Sequence, residues 1–80
     1  MDLSEATRKR IKDLAKERTI SITELCLVSN ITPSTIFDFL NNKSKYPKII
    51  TIKKLCVGAG ITLSEFYAPE YFNSTEDVYR

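Results

Sequence analysis

Histidine is absent from this chain, and cysteine (two), glycine (two) and proline (three) are scarce. Without histidine, imidazole acid–base chemistry is excluded, and most zinc sites with it. Cys26 and Cys56 are too few for a metal cage or for the disulfide framework of a small secreted scaffold. No apolar stretch approaches the roughly 20 residues needed to cross a bilayer. The start, Met1-Asp2-Leu3-Ser4-Glu5, is acidic and lacks a leader core. These absences predict a cytoplasmic chain with reduced thiols, no membrane contact, no metal and no cofactor. Glycine-rich phosphate loops and nucleophile–base spacings are missing too, so no enzyme is expected.

What is present is one small domain's worth of sequence: 80 residues, 42% of them apolar. A chain this short buries only roughly 60% of the surface it exposes when unfolded. That margin favours locally connected helices or a stabilising partner. The net charge of +2 hides an asymmetry. Lys43, Lys45, Lys48, Lys53 and Lys54 fall within 41–54 with no acid among them, whereas 55–80 carries Glu65, Glu70, Glu76 and Asp77 against Arg80. Such a basic run is either a solvated loop or the footprint of a polyanion.

Helix signals are regular. Ser21-Ile22-Thr23-Glu24 and Thr62-Leu63-Ser64-Glu65 read as capping boxes. Thr32-Pro33 reads as a hydroxyl N-cap followed by proline at the first helical position. Asn41-Asn42, Gly58 and Gly60 read as helix terminators. Apolar residues recur between these marks at helical spacing. Leu3, Ala6, Ile11 and Leu14 predict a helix near 4–18, and Leu25 with Cys26 one near 22–29. Ile36, Phe39 and Leu40 predict a third near 33–41. Ile52, Leu55, Cys56 and Ala59 predict a fourth near 50–59, and Leu63 with Phe66 a stub near 63–67. Residues 2–18 are rich in charge, and Asp13 and Glu17 beside Lys16 and Arg18 read as a solvated helix face, while both cysteines read as small buried hydrophobes. The expectation is an all-α domain of four to five short helices over 1–67. A tail over 68–80, with Tyr71, Phe72 and Tyr79, either folds on the core or makes a dimer contact.

The segment 21–42 carries the most information. Only Asn30-Ile31-Thr32 joins its two helices, and with Ile31 pointing inward so short a link forces a sharp crossing, as in a helix-turn-helix. Turning the second of these helices by about 100° per residue places Ile36, Phe39 and Leu40 on one stripe. Pro33, Ser34, Phe37, Asp38 and Asn41 then fall on the opposite, outward arc.

Residues 10–67 resemble the lambda-repressor/Cro-type helix-turn-helix family of phage and bacterial transcription regulators. The likeness runs through Arg10-Ile11-Lys12-Asp13-Leu14, Ile20-Ser21, Leu25-Cys26 and Asn30 to Ile36. It continues through Asn41 to Pro47, Ile52 to Cys56 and Gly60 to Tyr67. No one motif is specific; their order and spacing are. The resemblance implies a repressor-like homodimer on double-stranded DNA, with the helix at 33–41 in the major groove and no small-molecule ligand. It places Thr32, Pro33, Ser34, Phe37 and Asp38 against base edges. It places Ser21 and Ile22, and the loop residues Asn41, Asn42, Lys43, Ser44, Lys45 and Lys48, along the phosphates.

The residues themselves suit this role unevenly. Lysines and amides at 41–48 neutralise phosphates without reading sequence. Ser34 bonds several base edges, Asp38 accepts from a cytosine amino group, and Phe37 covers a thymine methyl. The bidentate Arg, Gln or Asn contacts are lacking in the first two turns. Ile22, Leu27, Val28, Phe37 and Ile50 stand where family members carry polar residues, and Ala15 and Leu40 where some carry an Arg–Glu pair. Leu27, Val28 and Ile50, with Ile22, either flank the core or form a partner surface. The alternative function is therefore a protein-interaction module (antitoxin-, anti-repressor- or adaptor-like) that keeps the fold without specific DNA reading.

Overall fold

The computed structural model describes residues 1–42 and 46–77, and among them every regular element is helical. Five α-helices follow one another: α1 (Leu3–Glu17), α2 (Ile22–Val28), α3 (Pro33–Leu40), α4 (Ile49–Ala59) and α5 (Leu63–Phe66). A 3-10 turn at Glu70–Phe72 comes after them.

Three capping boxes start helices. Those at Ser21/Glu24 and Thr62/Glu65 are as the spacing predicts. A third has Asp2 accepting from the Glu5 amide at 2.8 Å while Glu5 accepts from the Asp2 amide at 3.2 Å. Thr32 differs from expectation: it occupies the N-cap of α3, but its hydroxyl makes no capping bond, and Pro33 alone sets the entry.

Left-handed residues follow or end the first four helices: Thr19 at φ 57°, Asn30 at 57°, Asn42 at 61° and Gly60 at 74°. This conformation turns the chain so that later amides reach the last free carbonyls. Ile31, for instance, donates from its backbone to Cys26 O at 2.9 Å. Asn42 and Gly60 thus stop helices as predicted. Gly58 does not, because it lies inside α4, where a Cβ would stand 2.0 Å from Ser29 Oγ. Its small size is what lets α4 close on the end of α2, and α2 packs more extensively on α4 than on any other helix.

The core is one cluster built from all five helices. Ile11 and Leu14 meet Leu25, Cys26, Ile31, Ile36, Phe39, Ile52, Leu55, Cys56 and Phe66. Burial raises the thiol pKa of both Cys26 and Cys56, so each behaves as a small apolar side chain. Leu3, expected inside, is only half-buried, and so is Leu40.

Among the charges of α1, Arg10 stands apart from the solvent-facing Lys16 and Glu17. It is 6% exposed. Its Nε donates to Phe66 O at 2.7 Å, one terminal nitrogen donates to Glu65 O at 3.1 Å, and the other donates to Glu17 at 3.2 Å. A planar fork of donors suits the bare carbonyls ending a four-residue helix. The tail returns to α1 as well. Phe72 packs on the core, Tyr71 stacks near Phe72 and under Lys9, Glu76 donates from its backbone to Met1 O, and Asp77 accepts from the Leu3 amide at 2.7 Å. Tyr79 lies outside the described residues.

Candidate nucleic-acid interface

The tight link between α2 and α3 decides what α3 shows to solvent. Ile31 is buried and anchors the turn, and Ile36 and Phe39 hold the inner side of α3 in the core. The outer arc then follows from helical geometry. Thr32, Ser34 and Asp38 are exposed, Pro33 is half-buried, and Phe37 keeps 38% of its surface in solvent. Among the described residues Asp38 forms no ion pair and Ser34 no side-chain hydrogen bond. Four of the five residues singled out for base edges, Pro33, Ser34, Phe37 and Asp38, therefore fall on the outward arc of α3, and Thr32 is exposed at its N-cap.

Those assigned to phosphates divide into three groups. Ser21 and Ile22 open α2, and Asn41 and Asn42 end α3. Ser21, Ile22 and Asn41 also line one groove together with Phe37. Lys48 is the N-cap of α4, exposed and with no side-chain cap bond. There its ammonium adds to the positive end of the helix dipole and to free backbone amides, a combination that welcomes an anion. Lys43, Ser44 and Lys45 lie outside the described residues.

The apolar residues marked as a partner surface separate. Leu27, Val28 and Ile50 are all well exposed, and so are Ile49 and Val57, which sequence patterning had not singled out. Leu27 borders a shallow depression of about 290 Å³ with Asn30, Ile31, Thr32 and Pro33. Ile22 departs from this set: it is half-buried and packs against the core. Of the two readings open for these residues, Ile22 follows the one in which it flanks the core.

One feature of this face has no counterpart in the sequence patterns. The groove holding Ser21, Ile22, Phe37 and Asn41 runs between α1 and α3 and has a volume of about 460 Å³. Ala15 and Leu40, the two apolar residues standing where relatives pair Arg with Glu, contribute to its lining, and Lys12 and Lys16 complete it from α1. The two lysines one helical turn apart are legible in the sequence, whereas Ala15, Ile20, Ile22 and Leu40 come together only when the helices dock.

Among the described residues no group of His, Cys, Asp or Glu is placed to hold a metal ion, and no helix is long and apolar enough to cross a membrane. Comparison with curated proteins and with solved structures returned no match. A family model does match, over residues 10–70, and with the exposed third helix it places the chain among the Cro/C1-type helix-turn-helix DNA-binding domains.

Proposed function

We propose that this DNA-binding chain is a sequence-specific, repressor-like transcriptional regulator that lays α3 in the major groove. The observation that carries the reading is the outward arc of Pro33, Ser34, Phe37 and Asp38, with Thr32 exposed at its N-cap, held by a core-anchored turn. In this reading these five face base edges. Ser21, Ile22, Asn41, Asn42, Lys43, Ser44, Lys45 and Lys48 follow the phosphates and supply salt-dependent, sequence-blind affinity. A cytoplasmic homodimer reads two half-sites about 34 Å apart. Occupying an operator is its whole mechanism, with no catalysis and no small-molecule ligand.

The test is a titration against a genomic fragment library at moderate salt. At least one fragment is expected to bind more than about tenfold tighter than random duplex, a gap of about 1.4 kcal/mol. Equal binding by every fragment contradicts specific recognition.

The exposure of Leu27, Val28 and Ile50 favours a second reading, a protein-interaction module (antitoxin-, anti-repressor- or adaptor-like). Operator binding that is unchanged when all three are made polar counts against it.

A further inference from the structure

We infer that the groove between α1 and α3 is a docking site for an acidic amphipathic helix of a partner protein, and that its occupancy masks the DNA-facing surface. The masking rests on the DNA reading above; the docking does not.

The groove of about 460 Å³ has an apolar floor in Ala15, Ile20, Ile22 and Leu40, with Phe37 rising beside it. Ala15 is buried, and Ile20, Ile22 and Leu40 are half-buried, so the floor is continuous with the core while still reached by solvent. A space of that size takes one or two large apolar side chains from an apposed helix.

Charge identifies the occupant. Lys12 and Lys16 stand exposed on the α1 side, one helical turn apart. Lys9 is paired with Asp13 at 2.9 Å and Arg10 with Glu17 at 3.2 Å, whereas neither Lys12 nor Lys16 has an ion-pair partner among the described residues. Side chains at this spacing have Cβ atoms about 5–6 Å apart, which is also the spacing of two carboxylates at i and i+4 on a facing helix. Such a helix, with an apolar anchor between its acids, satisfies floor and rim together. A DNA strand fits the rim only, because its phosphates would lose hydration over an aliphatic floor that offers them no donor.

Ser21, Ile22, Phe37 and Asn41 belong both to this groove and to the surface proposed to meet DNA. A helix in the groove and a duplex on α3 therefore exclude one another, which gives the domain a protein-controlled release from DNA.

The probe is a displayed library of randomised peptides of about 15 residues, four helical turns, selected on the full chain. Enriched sequences are expected to carry acids one turn apart around a Leu or aromatic anchor. They are expected to bind the Lys12→Glu/Lys16→Glu variant at least about tenfold more weakly and to be displaced by duplex. Both lysines are exposed, and an unchanged circular dichroism spectrum verifies the variant's fold. Failure to enrich, enrichment of neutral or basic sequences, or equal affinity for the variant overturns the docking site. Binding that duplex does not displace overturns the masking and leaves DNA binding intact. A chain that binds these peptides but no duplex keeps the docking site while the DNA reading falls.

Discussion

Gly58 of α4 lies so close to Ser29, the C-cap of α2, that a single added carbon would stand 2.0 Å from the serine hydroxyl oxygen and 2.9 Å from its Cα. The hydroxyl itself is buried and has no hydrogen-bond partner among the described residues. Gly58→Ala should therefore destabilise the domain by about 1–3 kcal/mol, the usual cost of overpacking, despite alanine's better helix propensity. Ser29→Ala removes an unsatisfied hydroxyl and should raise stability by about 1 kcal/mol. Adding Ser29→Gly to Gly58→Ala should recover only part of the loss, since the Cα remains in the way. Urea unfolding of the native chain and the three variants measures all three effects.

Arg10 joins α1 to the end of α5 through two backbone carbonyls and Glu17. Arg10→Met should cost about 1–3 kcal/mol, the penalty for buried polar groups left unsatisfied, because the two carbonyls stay behind without donors. Glu17, well exposed at its carboxylate, should matter little: Glu17→Gln should stay within about 1 kcal/mol. Thermal denaturation distinguishes the two. Equal losses would mean that the ion pair, not the carbonyl bonds, does the work.

Thr19 ends α1 at φ 57°, a region in which a β-branched residue is strained. Thr19→Gly should stabilise the domain by about 1 kcal/mol, read as a higher urea midpoint at unchanged slope. A lower midpoint would show that the threonine side chain contributes contacts worth more than the strain.

Glu65 accepts from the Thr62 amide at 2.8 Å, and this bond, followed by hydrogen bonding from the Thr62 side chain, holds its carboxyl below the ordinary glutamate value of 4.5. A lowered folded-state pKa means that the unfolded chain binds the proton more readily. The stabilisation is therefore complete above the unfolded value and is lost as pH falls through the folded one. The carboxyl carbon of Glu65, followed by nuclear magnetic resonance, should titrate below pH 4.5 in the native chain and move up towards that value in Thr62→Ala. A titration already at the ordinary value in the native chain would contradict the capping box.

Much of this architecture is written locally. Ser21 with Glu24 and Thr62 with Glu65 announce helix starts because a capping box closes within four residues, and Gly60 announces a stop because its conformation is its own property. Asp2 with Glu5 obeys the same rule but is masked by the general acidity of the chain start. Gly58 was misread for want of a partner. A glycine near a helix end suggests termination, and only the approach of Ser29, 29 residues earlier, gives it another purpose. Arg10 lies on the inner face of α1 beside Ala6, Ile11 and Leu14 by simple periodicity. Its partners are backbone carbonyls more than fifty residues away, which no residue pattern encodes. The outward arc of α3 follows from Ile36 and Phe39 facing inward. The groove beside it needs three helices docked in place, so the separate residues of α1, α2 and α3 did not reveal it.

The central claim is that the outer arc of α3 reads bases while the basic loop only holds the backbone. Its most direct measurement is the duplex preference, selected from a randomised pool, of the native chain, Ser34→Ala, Asp38→Asn and Lys43→Ala. The account predicts that the first two substitutions change which bases are preferred within each half-site. Lys43→Ala should instead weaken all sequences alike and reduce the salt slope by about one. Preferences identical in all four proteins, or a base change produced by Lys43→Ala alone, would contradict it.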